Sequence, residues 1–282
     1  MKNNRTSSRR RKVYPKKGLF NLNCKLLLIG LLSLALLFFG IKYFGSKEEQ
    51  PAEKAQNGSV NGQVETGNKQ GQDAKLSTQQ VQLSQNDLSD PANIYVLVNK
   101  DHGLKNPEYK PADLVIPNIK TSASDKDSER SVRKIIAADL ESMLTDAQAA
   151  GLDLTMNSGF RSFEDQQFYF NNYVKNSGRE AALKFSALPG FSEHQTGLGI
   201  DINYSDRKCY LEECFGQSAA GIWLAGNSYK YGFILRYPKG KEDVTGYQYE
   251  PWHFRYLGKA LAKDVKDSGL SYEEYLKSLN LI

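Results

Sequence analysis

A domain of both helices and strands, held outside a membrane on a polar tether, is the architecture this sequence predicts, and three observations carry the prediction. Apolar residues are unevenly spread along the 282 positions: one unbroken early run, then a long polar stretch, then an ordinary globular mixture. Steps of three and four place Val132, Ile135, Ile136, Leu140, Met143, Leu144 and Ala147 on one helical face. Steps of two recur at 152–157, 198–203 and 252–256, the spacing of strands with two distinct faces. Both periodicities within residues 91–282 call for helices and strands around a common core.

Residues 1–25 form a basic tail with nine Lys or Arg and no acid, which leaves 28 basic against 32 acidic residues in the remainder. The net charge of +5 is therefore a property of the tail, and the body is mildly acidic. Nucleic-acid binding has little support, because the basic run adjoins an apolar segment and is not spread over a folded face. Residues 26–44 are expected to be a transmembrane anchor: at 1.5 Å per residue they approach the ~30 Å of a bilayer core if Lys42 snorkels. The charges before it, with Glu48 and Glu49 after it, put the N-terminus in the cytoplasm and the rest outside, a single pass through the cell membrane. A cleaved signal peptide is the rival reading, but the stretch after the apolar run offers no small-residue cleavage pattern. Residues 45–90 are poor in large apolar side chains and are expected to be a disordered linker. A flexible coil of that length spans roughly 35–40 Å, which keeps the domain near the surface it leaves.

Order is expected to resume at Pro91, with a buried strand at Ile94–Val98 followed by turn residues around His102. His102 has no acidic or thiol partner at ligand spacing and is expected to be an exposed loop histidine, with a substrate contact as the alternative. The helix over 129–149 ends at Gly151, and 152–157 follows as a half-buried strand. Ser162 with Asp165 three positions on resembles a capping box, and Phe163, Gln167, Phe170 and Val174 continue at helical spacing. Arg161 thus stands at a strand-to-helix junction, either paired with a surface carboxylate or acting as a fork for a substrate carboxylate or oxyanion. Cys209 and Cys214 form a local disulfide or remain two thiols; with no second Cys or His pair near, a zinc knuckle is not expected. A helix at 218–226, a strand at 231–237 and two closing helices at 257–267 and 271–279 complete the pattern.

Chemistry concentrates in two blocks, Ser192–Asp201 and Glu250–His253. In the first, Gly197 and Gly199 leave room for a metal or a substrate backbone, and Asp201 faces away from Leu198, Ile200 and Ile202. In the second, Trp252, Phe254 and Tyr256 alternate with His253, so the aromatic face packs inward. Strict alternation puts Glu250 and His253 on opposite faces, and a kink or bulge at Pro251 is required if both serve one site. His194, His253 and Asp201 are the nitrogen and oxygen donors of a catalytic zinc site, and Glu250 is left over as the base such a site needs.

Ser192-x-His194-x-x-Gly197-x-x-x-Asp201 with Glu250-x-x-His253, preceded by Ser158–Ser162 and Gln166, resembles the VanY-like zinc D-alanyl-D-alanine carboxypeptidases, which share a fold with the Hedgehog signalling domain. The resemblance spans about residues 91–282. It implies a small α+β fold with a central antiparallel sheet flanked by helices, one zinc ion held by His194, Asp201 and His253, and Glu250 as catalytic base. It implies further that Arg161 stabilises the transition state or the substrate carboxylate, and that Ser192, Gln166 and Ser158 bind substrate. Peptidoglycan stem peptides are the implied substrate, cut after either a D- or an L-centre, and a monomer is expected. A non-catalytic wall-binding module and a cross-bridge endopeptidase are the alternatives.

Overall fold

The computed structural model describes residues 81–123 and 126–282; the basic tail, the anchor and the linker as far as residue 80 lie outside the described residues. Among the described residues no helix is long and apolar enough to cross a membrane. In chain order the elements are α1 (Gln85–Ser89), β1 (Leu114–Val115), α2 (Asp127–Arg130), β2 (Val132–Arg133), α3 (Lys134–Ala149), β3 (Leu154–Ser158), α4 (Phe163–Ser177) and α5 (Arg179–Phe185). A 3-10 turn at Glu193–Thr196 leads into β4 (Gly199–Tyr204), followed by α6 (Ala219–Asn227), β5 (Phe233–Leu235), α7 (Glu242–Thr245), β6 (His253–Tyr256), α8 (Gly258–Ser268) and α9 (Tyr272–Ser278). This is the α+β arrangement that the family resemblance implies.

Four strands form the central sheet in the order β3-β4-β6-β5, antiparallel throughout, and β1 pairs with β2 in a separate ribbon. The apolar stripe of α3 contributes Ile136, Leu140, Met143 and Ala147, all buried, to a core shared with Met156, Ile200, Ile202, Phe233 and Phe254 from the strands. A second cluster forms where α8 and α9 close over Leu88 and Leu97. Helix α1 therefore falls within the stretch expected as linker, because Leu88 has an apolar surface to cover there.

Two strand assignments change. Ile94–Val98 is buried at Val96, Leu97 and Val98 but joins no sheet. Its carbonyls are satisfied by side chains instead: Arg255 donates to Ile94 O and Val96 O, and the Tyr272 hydroxyl donates to Tyr95 O. β3 is buried along its whole length, not on one face, and the 129–149 helix begins later, at Lys134, after α2 and β2. Elsewhere the local signals act as anticipated. The Ser162 hydroxyl accepts from Asp165 N to cap α4, the first half of the capping box, and Gly151 takes positive φ after α3; of the two readings of Cys209 and Cys214 the disulfide is the one formed.

Candidate metal centre and active site

Strand register assembles the site. On β4 and β6, Asp201 lies directly opposite His253, so the two side chains leave the sheet side by side. On the other flank, Met156 pairs with Ile202 but Ser158 pairs with Asp201, which makes Asn157 the extra residue of a β-bulge. The bulge changes which side chains of β3 share a face with Asp201, and it brings Ser158 there. His194 arrives from the 3-10 turn before β4.

The donor atoms of His194, Asp201 and His253 all lie within 4.8 Å of one another, and the three residues are buried. His194 presents Nε2, 3.4 Å from Asp201 Oδ2, because its Nδ1 stands 2.8 Å from the Gly159 carbonyl and donates to it. His253 presents Nδ1, 3.0 Å from Asp201 Oδ1, while its Nε2 is 3.2 Å from Glu193 Oε2. Zinc bonds of ~2.0–2.1 Å in a tetrahedron separate the donors by roughly 3.3 Å. Two imidazoles and a carboxylate at these spacings fit such an ion.

Charge follows from surroundings. Burial alone would raise the Asp201 carboxyl, but the two imidazoles outweigh it and hold the group far below the usual carboxylate range. Burial lowers His194, against the pull of Asp201. For His253 the loss of water is outweighed by hydrogen bonds to Asp201 and Glu193, which raise it to about 9. Without a metal, His253 is thus an imidazolium whose Nδ1 proton sits against Asp201.

The chain does turn where parity demanded it. His253 N donates to Glu250 O at 3.1 Å across Pro251 and Trp252, and β6 starts only at His253. Glu250 lines the same cavity as the three donors. Burial pushes its carboxyl up to about 8, against the attraction of His253. No donor among the described residues bonds that carboxylate, which leaves it free for chemistry.

The cavity, of about 310 Å³, is lined by Arg161, Gln166, Ser192, His194, Asp201, Glu250 and His253 together with Tyr173, Phe185, Leu211, Tyr237 and Tyr247. Arg161 is not paired with a surface carboxylate. Its Nη1 donates to Gln166 Oε1 at 3.0 Å and its Nη2 to Ser158 Oγ at 2.9 Å, while its buried Nε has no protein acceptor. Ser158 thus reaches the site through Arg161 and is not itself a wall of the cavity. Gln166 is anchored in turn by donating to Ala187 O at 2.8 Å. His102 lies exposed in a loop, with Nδ1 3.0 Å from Asn99 Oδ1.

The room beside Gly197 and Gly199 is used differently from the expectation. A Cβ on Gly197 would meet Arg133 Cγ at 2.9 Å, and one on Gly199 would meet Glu193 Cβ at 3.1 Å. Protein, not metal or substrate, fills both spaces. Sequence reasoning also passed over a buried charged cluster behind His253. Glu193 Oε1 accepts from Arg236 Nε at 2.7 Å and Arg255 Nη1 at 2.8 Å, and Arg236 reaches on to Glu273 of α9 at 2.5 and 2.8 Å. Arg255 lies within β6, which is buried along its whole length, and Arg236 directly follows β5.

Residues 129–259 match the model of the VanY family, described as D-alanyl-D-alanine carboxypeptidase. The protein named "Putative carboxypeptidase YodJ" from Bacillus subtilis (strain 168) is 45% identical over 195 residues, 69% of this chain and 71% of that protein. The solved LdcB LD-carboxypeptidase is 46% identical with a TM-score of 0.62, covering 66% of this chain and 87% of that one. A variant of the vancomycin resistance D,D-pentapeptidase VanY, solved in complex with Zn(II), is 31% identical with a TM-score of 0.50, covering 64% of this chain and 97% of that one.

Proposed function

The chain belongs to the VanY family of D-alanyl-D-alanine carboxypeptidases, and from that premise we propose that it is a zinc-dependent carboxypeptidase removing the C-terminal D-alanine from peptidoglycan stem peptides. The observation that carries the reading is the convergence of His194 Nε2, Asp201 and His253 Nδ1 within 4.8 Å, in a cavity that also holds Glu250 and Arg161. His194, Asp201 and His253 would hold the zinc, which when bound acidifies a water and polarises the scissile carbonyl. Glu250, raised toward neutrality by burial, takes the proton of the attacking water and returns it to the leaving amine. Arg161, braced by Gln166 and Ser158, offers its remaining N–H groups to the terminal carboxylate or the developing oxyanion. Ser192 and Gln166 line the pocket beside it.

A second reading, cleavage of D-alanine after the L-centre of a tetrapeptide, is favoured by the higher identity and TM-score to the LD-carboxypeptidase than to the D,D-pentapeptidase. Incubating the protein with pentapeptide, tetrapeptide and cross-linked muropeptides, with products weighed by mass spectrometry, separates the two. Loss of one alanine from the pentapeptide supports cleavage after a D-centre and loss from the tetrapeptide cleavage after the L-centre, and either supports a carboxypeptidase. Cutting only of the cross-linked species sinks that reading in favour of an endopeptidase, and tight binding with no product in zinc-replete protein favours a silent binding module. We propose that the enzyme works outside the cell membrane, anchored through residues 26–44 with the N-terminus cytoplasmic, on the charge asymmetry of that segment.

A further inference from the structure

Glu193 is next to a proposed ligand in sequence, yet its side chain serves the other histidine. It is completely buried, and each of its oxygens is committed. Oε1 takes both guanidiniums, from Arg236 at 2.7 Å and Arg255 at 2.8 Å, and Oε2 faces His253 Nε2 at 3.2 Å. A carboxylate gripped by two arginines is ionised and can only accept, so the Nε2 opposite must carry hydrogen. The ring plane is fixed as well, because Tyr237 lies over His253 with centroids 5.0 Å apart and planes 31° apart.

Four ionised groups, Glu193, Arg236, Arg255 and Glu273, are here removed from water. Such clusters are often no more stabilising than apolar side chains of similar volume. Their geometry serves orientation. Glu273 of α9, itself bonded by Asn99, holds Arg236, and Arg255 is pinned by the carbonyls of Ile94 and Val96. Both arginines then converge on one oxygen of Glu193 and aim the other at His253.

We propose that Glu193 is a positioning residue: braced by Arg236 and Arg255, it locks His253 as the Nε2–H tautomer so that Nδ1 is the atom offered to the metal. The inference rests on the zinc reading above. Carboxylates in this relation to a ligating histidine are worth 10–100-fold in metal affinity.

Two measurements on the full chain test it. The protein has three histidines, so ring-15N labelling gives a short spectrum. Loaded with zinc or with 113Cd, the wild type is expected to show one ring coordinated through Nδ1 with a protonated, slowly exchanging Nε2, and one coordinated through Nε2. Glu193→Asp keeps the charge beside the arginines but withdraws the carboxylate by one methylene; its zinc affinity, read by chelator competition, is expected to fall 10–100-fold with far-UV circular dichroism unchanged. Coordination of both rings through Nε2, or an unchanged zinc affinity in Glu193→Asp, overturns the inference and leaves the proposed function standing. Absence of zinc uptake by the wild type overturns the proposed function and the inference together.

Discussion

Two glutamates lie near the donor triad, and their surroundings divide the work between them. Glu193 is held far below the usual carboxylate range, the cost of burial being outweighed by Arg236 and Arg255, while burial raises Glu250 to about 8. A proton shuttle needs a group that changes charge near neutrality, and only Glu250 does. Glu250→Gln should keep zinc in chelator competition and lose roughly 10²–10⁴-fold in kcat; retained zinc-dependent hydrolysis would remove Glu250 from the mechanism. The same substitution should raise the Tm of metal-free protein at pH 9 but not at pH 4, since the amide carries none of the charge that the raised carboxyl acquires as pH climbs from 4.5 through about 8. At Arg161 the planar fork matters more than the charge. Arg161→Lys cannot hold Gln166 and Ser158 together while still facing substrate, and kcat/KM should fall by about 10²–10³-fold. A variant within a few-fold of wild type in steady-state assays would show that the cation alone suffices.

At the scale of elements, the site depends on how two loops meet the sheet. Gly159 N donates to Glu129 O and Phe160 N to Ser131 O, both at 2.7 Å, and the Gly159 carbonyl orients His194. A Cβ on Gly159 would stand 2.3 Å from Ser131 O, so the backbone itself must move. Gly159→Ala should cost about 1–3 kcal/mol in urea unfolding and also weaken zinc binding, because the carbonyl that sets the His194 tautomer shifts with it. Unfolding and metal affinity that both match the wild type would show that the turn can relax without cost. This dependence was only partly legible in the sequence. Parity along 250–256 showed that a turn at Pro251 was needed, and residue chemistry singled out His194, Asp201, Glu250 and His253. The bulge at Asn157 left no local signal, since it is defined only by the register of β3 on β4. Ile94–Val98 misled for a related reason: an apolar run is the same whether its carbonyls enter a ladder or are taken by Arg255 and Tyr272 from over 150 residues away. Long-range partners also hid the Glu193 cluster, whose members come from the 3-10 turn, β6, the residue after β5 and α9.

For the whole molecule, the donor triad is where distant parts of the chain are tied together, from Ile94–Asn99 through the sheet to Glu273 of α9. Such a junction should not fall apart when the metal is removed, because His253 supplies a substitute cation. With its proton on Nδ1, it bridges Asp201 and Glu193, and those two hydrogen bonds, set against the cost of burial, raise it to about 9. A group raised from 6.5 to about 9 contributes stability that is fully present below 6.5 and lost as pH rises through 9. The raised carboxyl of Glu250 works in the same direction, its contribution being lost between 4.5 and about 8. Both losses belong to the metal-free protein, since a bound ion takes the place of the proton on Nδ1 and binds only the native state. Chelation should therefore leave far-UV circular dichroism intact at pH 6 with a modest fall in Tm. The gap between zinc-loaded and chelated Tm should widen from pH 7 to about pH 9 and level off above it. A gap independent of pH over that range would mean that His253 does not hold its proton in the metal-free state, and that another group carries the charge between Asp201 and Glu193.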